Sequence, residues 1–453
     1  MRMTQDSQLA KLGLFDAKVP RYTSYPTAPH FRNDVDAGRF ATWISQIPAG
    51  SEISLYVHVP FCRRLCWFCA CRTQGTQTLS PVAAYVELLK EEIALFAKHL
   101  PRGVTLSRLH WGGGTPTLLS PDLMRELGEA IFAVTPMAKD GEFSVEIDPM
   151  EIDEPRMDVL AALGMNRASI GVQDFDPQIQ DTIGRIQPYD DTRRVVEGLR
   201  ARGISSLNAD ILYGLPHQTR ERLTESVQKL LSLSPDRVAL YGYAHVPWMA
   251  RRQTMIPTEA LPTPQARLGL FDTARRLFTW DGYRQIGIDH FALPDDSMAI
   301  AQRTGQLRRN FQGYTVDPSP VLVGLGASSI SRFPQGFAQN DPSTSGHTAA
   351  IRGGQFSTKR GHQFLGEDQL RARMIESLMC NFEISAPALE AEFSGSRPQI
   401  EALFAEAARA FPGMVEITDE VLCILGEGRP LTRMIAQVFD AYGMDKAKHS
   451  SAI

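Results

Sequence analysis

The run Ile53-Ser54-Leu55-Tyr56-Val57-His58-Val59 alternates with a period of two, and that alternation predicts a strand. Apolar positions at helical spacing follow over 81–99, with Ser80 placed to cap the helix and Pro81 at its first position. The unit then recurs. A second strand is expected at 108–111, with Ser120-Pro121 opening its helix. Further strands are expected at 143–148, 168–172, 207–212 and 238–241, and helical patterns at 154–163, 190–202 and 219–232. Six strand–helix units in series predict an α/β chain with a parallel sheet. Right-handed crossovers wind such a sheet toward an incomplete (β/α)6 barrel.

Residues 1–50 lack this rhythm. PRYTSYPTAPHF, at 20–31, is too rich in proline and threonine for a regular element and reads as an ordered N-terminal arm. The pattern changes again after 340, where the polar loop at 341–346 leads to amphipathic helices at 367–380, 386–393 and 399–410. A hairpin at 415–417 and 421–425 and a last helix at 430–442 complete the chain. The division expected is an arm (1–50), a partial barrel (51–340) and a small, mostly helical, winged-helix-like C-terminal domain (341–453).

Composition narrows the function. Of 453 residues 43% are hydrophobic, enough for a sizeable core, and the net charge of −4 supplies no basic field for nucleic acid or an anionic membrane surface. The N-terminus has no continuous apolar segment and no run approaches the ~18 apolar residues of a membrane span, so the expectation is a cytoplasmic protein. In a reducing compartment the six cysteines are expected to stay out of disulfides. Cys380 and Cys423 stand apart in sequence and read as small apolar core residues.

The other four cysteines crowd into HVPFCRRLCWFCACR, residues 58–72. Cys62-x3-Cys66-x2-Cys69 offers three thiolates on one loop after the first strand. A structural zinc site wants a closed tetrahedral set, and no second ligand pair follows. A [4Fe–4S] cluster held by three cysteines keeps one iron free for a substrate or cofactor. Cys71 lies one residue beyond Cys69, so in extended backbone the two side chains point apart. It is read as a functional thiol outside the ligand set. A zinc knuckle closed by His58 or Cys71 is the competing reading.

The active site of a parallel barrel lies at the C-terminal strand ends. There the second strand runs into HWGGGTPT, residues 110–117, whose glycines are expected to let a polar ligand approach the backbone. Glu146, Gln173, Asp210 and Ala244 fall at or near the ends of the third to sixth strands, and Arg185 in the crossover after Gln173. Polar groups at successive strand ends argue for one binding cavity.

CxxxCxxC with Phe68 before the last cysteine resembles the radical S-adenosylmethionine superfamily. Longer stretches, PRYTSYPTA, YVHVPFC, SVEIDP, GVQDFDPQIQ, ADILYGLPHQT, GIDHFALPDD, RNFQGYT and CNFEI, resemble the oxygen-independent coproporphyrinogen III oxidase family over most of the chain. The resemblance implies decarboxylation of coproporphyrinogen III to protoporphyrinogen IX through a 5'-deoxyadenosyl radical, in haem biosynthesis. It implies one [4Fe–4S] cluster on Cys62, Cys66 and Cys69 and two S-adenosylmethionine molecules. Tyr56, Gly113, Glu146 and Ile330 match positions around the molecule on iron; Phe68, Gly114, Thr115, Gln173, Arg185, Asp210 and Ala244 match those around the second. Tyr56, His58 and Cys71 fall on positions tied to catalysis, although His58 also reads as a hydrogen-bonded strand histidine. The implied partners are a reducing donor such as flavodoxin or ferredoxin and an unidentified electron acceptor. Arg21, Arg63, Arg64, Arg308 and Arg309 are candidates for the substrate's four propionates. A haem chaperone and an anaerobic haem-degrading enzyme of the same superfamily are the alternatives.

Overall fold

In the computed structural model, residues 8–443 and 452 are described. The first seven residues of the expected arm, and 444–451 and 453 of the expected C-terminal domain, lie outside them. All six expected strands form: β1 (Glu52–Val59), β2 (Thr105–Gly113), β3 (Met137–Ile147), β4 (Arg167–Gln173), β5 (Ser206–Tyr213) and β6 (Arg237–Gly242). They pair in parallel in that order. Crossover helices Ser80–His99, Pro121–Val134, Glu154–Ala162, Tyr189–Ala201 and Arg220–Ser232 connect them.

Alternation along the strands sorts the two faces. Leu55, Val57, Trp111, Phe143, Val145, Ile170 and Leu240 are buried in the main apolar core. Ser54, His110, Glu142, Ser144, Glu146, Ser169 and Asp210 line a cavity on the other face, the three on β3 two residues apart. A parallel sheet covered on both faces ordinarily has two apolar faces. Here one face is polar, which marks it as the working side.

The sheet is larger than the six units predict. After β6 come β7 (Arg284–Ile286), β8 (His290–Ala292), β9 (Leu322–Leu325), β10 (Ile330–Phe333), β11 (Gly336–Asn340) and β12 (Thr358–Gln363). The twelve strands run β12-β11-β10-β9-β1-β2-β3-β4-β5-β6-β8-β7. Strand β9 is a seventh parallel member, with Tyr56 opposite Gly324, and the remaining additions are antiparallel. With β12 and β7 at opposite edges the sheet stays open, as an incomplete barrel does. The boundary expected at 340 falls inside this extension, because β12 pairs with β11 beyond it.

Several local expectations need correction. Helix Ser80–His99 begins at Ser80 itself, and the residue ahead of it, Leu79, makes no side-chain cap; Ser120 does cap, accepting from the Leu123 N–H. The arm contains a helix, Ala37–Ser45, capped by Asp36 and burying Phe40, Trp43 and Ile44 at i, i+3 and i+4. Ser343, within the stretch read as a loop, caps helix Thr344–Arg352. The last helix shortens to a 3-10 segment, Gly426–Leu431, and Thr432–Gln437, because Gly426, Gly428 and Pro430 disfavour a regular start.

Helices Asp368–Asn381, Ala386–Glu392 and Arg397–Ala410 follow, with the expected hairpin Val415–Thr418 and Val421–Ile424. The hairpin gains a third strand, Glu383–Ser385. Leu14, Val19, Tyr22 and Tyr25 of the arm are buried in the same core as these helices. Cys380 is fully buried and Cys423 half-buried.

Glu92, fully buried on helix Ser80–His99, accepts hydrogen bonds from Gly326 N at 2.7 Å and Asn340 Nδ2 at 3.0 Å, and His347 Nε2 stands 3.5 Å away. Burial outweighs the two donors and pushes the carboxyl up to about 8, while burial pushes His347 down to about 4. The folded state thus binds the Glu92 proton more tightly than the unfolded chain. That contribution to stability is full below pH 4.5, the ordinary value, and is lost as pH rises through about 8. The His347 contribution is present above 6.5 and is lost as pH falls through about 4. Between these windows, from 6.5 to 8, Glu92 acts without His347. Glu92→Gln is expected to flatten the decline of the denaturation midpoint there; parallel curves for the two proteins would refute the assignment.

Candidate active site

Beyond β1 the chain turns through Pro60, and Phe61–Cys62 pairs with Gln74–Gly75, closing the base of the cysteine loop. Inside the loop the Cys69 N–H donates to Cys66 O at 3.3 Å, and the Cys71 N–H reaches Cys69 Sγ at 3.4 Å. The Cys71 thiol also donates to Cys69, and this hydrogen bond, against the cost of burial, brings Cys69 down to about 6. The same contact and the Cys69 charge raise Cys71, while burial pushes Cys62 up to about 11. Arg185 Nη1 stands 3.5 Å from Cys66 Sγ. Sulfurs supplied with N–H donors and cations suit thiolate ligands. Among the described residues no three Cys, His, Asp or Glu side chains form a site for a single ion. Three thiolates that each bond a different iron need no such convergence, so the donor set fits a [4Fe–4S] cluster.

The glycines at the end of β2 serve close packing. A Cβ at Gly112 would lie 2.6 Å from Glu146 Oε1, one at Gly113 2.3 Å from His58 Nδ1, and one at Gly114 2.5 Å from Phe61 O. The Gly113 N–H donates to Glu146 Oε2 at 2.9 Å and the Gly114 N–H to Val59 O at 2.8 Å. Both donors are therefore spent on the protein. The missing side chains let β2 pass close to the cysteine loop, and Gly113, with φ of 109°, requires glycine on conformation as well.

Glu146 also meets His110 Nε2 at 3.4 Å. Burial opposes its ionisation, but the His110 hydrogen bond and charge and the Gly113 N–H overcome that and keep the carboxyl below its ordinary range. Tyr56 stacks on His110 and its hydroxyl meets His58 Nδ1 at 3.0 Å, while His58 Nε2 faces Arg72 O at 3.3 Å. With Nε2–H donating to that carbonyl, Nδ1 accepts from the tyrosine. Burial lowers the His58 pKa, which favours this neutral form. Ile330 opens β10, its carbonyl 2.9 Å from where a Cβ on Gly324, the residue opposite Tyr56, would lie.

Across the sheet, Arg185 is fully engaged: Nη2 donates to Gly171 O at 2.9 Å, Nε to Gln187 Oε1 at 3.2 Å, and Nη1 lies 3.3 Å from Asp148. Gln173 ends β4 in the left-handed region, with φ of 69°. Asp210 accepts from Asn208 Nδ2 at 2.8 Å, and burial raises it to about 6. Thr115, buried, hydrogen-bonds Cys62 and donates its N–H to Phe61 O. Gln253, which no motif marks, ties Phe68 O at 2.7 Å to Ala244 O at 3.0 Å and is wholly buried. A lone glutamine in the short 3-10 helix Arg251–Met255 has no pattern to betray it. Glu146 and Asp210 share the cavity of ≈ 230 Å³ on the polar face. Of the candidate arginines, Arg63 and Arg64 bind carbonyls of Gln77 and Ile186, and Arg308 folds back on Gly305 and Leu307.

Residues 56–230 match the model of the radical SAM superfamily. An oxygen-independent coproporphyrinogen III oxidase of Paracoccus denitrificans is 62% identical over the full length of both chains. One from Cereibacter sphaeroides is 61% identical over 97% of this chain and 98% of its own. The chain belongs to the oxygen-independent coproporphyrinogen III oxidase family. A solved structure described as coproporphyrinogen III oxidase from Escherichia coli, a radical SAM enzyme, superposes with a TM-score of 0.89 at 34% identity, covering 94% of this chain and all of that one. The open α/β sheet is thus the coproporphyrinogen III oxidase fold. Membership implies a [4Fe–4S] cluster and S-adenosylmethionine, and the cysteine loop is the part of this oxidase whose chemistry fits them. Among the described residues no helix is long and apolar enough to cross a membrane.

Proposed function

We propose that this chain converts coproporphyrinogen III to protoporphyrinogen IX without oxygen, removing the carboxyl groups of the ring A and B propionates as CO2 in the cytoplasm. The observation that carries the reading is that Cys62, Cys66 and Cys69, on the loop after β1, and Glu146, near the end of β3, fall at the C-terminal ends of parallel strands, in a chain 62% identical to a curated oxidase. When bound, the cluster and S-adenosylmethionine supply a 5'-deoxyadenosyl radical that takes a hydrogen atom from the propionate β-carbon. Loss of CO2 and of one electron to an acceptor then leaves the vinyl group.

The chain's own residues divide this work. Cys62, Cys66 and Cys69 hold the cluster. Glu146, an acceptor fixed by two donors, suits a ribose hydroxyl or ammonium of the first S-adenosylmethionine, beside Tyr56, Gly113 and Ile330. Phe68, Gly114, Thr115, Gln173, Arg185, Asp210 and Ala244 surround a second molecule. Tyr56 and His58, hydrogen-bonded to each other, orient the near wall, and Cys71 is a thiol at substrate reach. A flavodoxin or ferredoxin supplies the electron.

Anaerobically reconstituted and reduced protein, given coproporphyrinogen III, is expected to release CO2 and protoporphyrinogen IX. A stable haem adduct without decarboxylation would replace this reading with a chaperone, and S-adenosylhomocysteine with loss of haem would replace it with a degradative enzyme. Equilibrium dialysis should give two S-adenosylmethionine molecules per chain and one for Asp210→Ala. A single molecule in the unsubstituted protein would sink the two-site assignment.

A further inference from the structure

Arginines from separate parts of the chain gather at the C-terminal ends of β5 and β6. The arm segment 19–22 is gripped from two sides. Arg433 donates to Val19 O at 2.5 Å and Pro20 O at 3.0 Å, and Arg309 donates to Arg21 O at 3.3 Å and Tyr22 O at 3.2 Å. So held, the arm sends the Arg21 side chain to the end of β6, where Nη2 donates to Gly242 O at 3.1 Å. Arg267, on helix Pro264–Trp280, meets the same residue: its Nη2 lies 3.3 Å from where a Cβ on Gly242 would be, and its Cζ 3.1 Å from that of Gly214. Two guanidinium groups therefore share one strand end.

Their charge is poorly balanced. Among the described residues none of Arg21, Arg267 and Arg309 belongs to an ion pair. Asp289, the acid whose field reaches Arg309 and Arg21, is itself hydrogen-bonded to His290 Nδ1 at 2.7 Å. Burial, and then repulsion by Arg21, lower the pKa of Arg267. Two buried donors of the group, Arg267 Nε and Arg309 Nη1, have no hydrogen-bond partner. Buried N–H groups of a cation are costly when left without an acceptor, and an anionic ligand would supply one. A planar fork of donors suits a carboxylate, whose two oxygens it can meet with two parallel hydrogen bonds.

We propose that Arg21 and Arg267, backed by Arg309, form a subsite for a propionate carboxylate of the tetrapyrrole. This rests on the function proposed above. The location supports it: Gly242 is two residues before Ala244, whose carbonyl Gln253 ties to Phe68 in the cysteine loop, so the subsite flanks the reacting centre without being part of it. The cavity wall also reaches it, because Tyr241 and Tyr314 line the cavity and Arg309 lies 4.8 Å over the Tyr314 ring. Two of the substrate's four propionates are not consumed and are free to serve as anchors. Because Arg21 comes from the arm, seating of the arm and binding of substrate are coupled.

The test uses the reconstituted full chain and two probes, coproporphyrinogen III for turnover and the stable oxidised coproporphyrin III for binding, followed by its fluorescence. Arg21→Gln and Arg267→Gln are each expected to raise KM and the coproporphyrin Kd about tenfold. The rate of 5'-deoxyadenosine formation measured without tetrapyrrole should not change, Arg267→Lys should recover part of the loss, and affinity for the tetramethyl ester should be the same in all variants. If unsubstituted protein turns over coproporphyrinogen III while both glutamine variants keep its KM and Kd, the subsite is wrong and the function stands. If the unsubstituted protein binds coproporphyrin but yields no vinyl product, the function is wrong. Should Arg267→Gln fail to fold, Arg21→Gln, an exposed side chain, still decides.

Discussion

Replacing any one of Cys62, Cys66 and Cys69 with serine is expected to abolish the iron–sulfur absorption and cut 5'-deoxyadenosine formation by at least ~1000-fold. In the proposed site each thiolate is the sole tether of one corner, and a serine oxygen, far less acidic than a thiol and a harder donor, does not replace it for iron in a cluster. Cys71→Ser should behave differently. Cys71 is exposed, touches the set through its N–H and thiol contacts to Cys69, and stands outside the three ligands proposed. Iron content and S-adenosylmethionine cleavage should survive that change while vinyl formation falls. Iron loss in Cys71→Ser equal to that in Cys69→Ser would overturn the three-ligand assignment, and both quantities are read by iron analysis and product chromatography on anaerobic samples.

The parts of this fold legible in the sequence were those with a strong period. Strand β1 alternates, helix Ser80–His99 is long, and each recurs with its neighbours, so the six-unit core follows from pattern alone. Short elements lacked that redundancy. Strands β9 to β12 are four to six residues each, buried on both sides in places, and such runs have no period to read. Helix Ala37–Ser45 did carry a signal, Phe40, Trp43 and Ile44, but it sits behind a proline-rich stretch that dominated the reading of the arm. At the site, residue type announced the cysteines, while the arginine pair at Gly242 is assembled from residues 21 and 267 by tertiary packing. Nothing local distinguishes Arg267 from the other arginines of its helix.

Gly114→Ala should collapse the site although it removes no functional group. The added Cβ would lie 2.5 Å from Phe61 O, 2.8 Å from Val59 O and 2.9 Å from Phe61 N, all main-chain atoms that no rotamer change can move aside. Relief requires β2 to part from the cysteine loop, which breaks the hydrogen bonds from Gly114 N to Val59 O and from Thr115 N to Phe61 O, each 2.8 Å. Overpacking at ~1–3 kcal/mol and two lost buried hydrogen bonds at ~1 kcal/mol each make a cost of about 3–5 kcal/mol. Phe61 is followed directly by Cys62, so the displacement is passed to a proposed cluster ligand and iron retention should fall with stability. Gly164→Ala supplies the control: its φ of 88° also disfavours a side chain, yet nothing lies within 4 Å of the new Cβ, and the cost should stay near ~1 kcal/mol with full iron content. Equal denaturation midpoints for the two variants would mean that close approach of β2 to the loop is not what Gly114 secures.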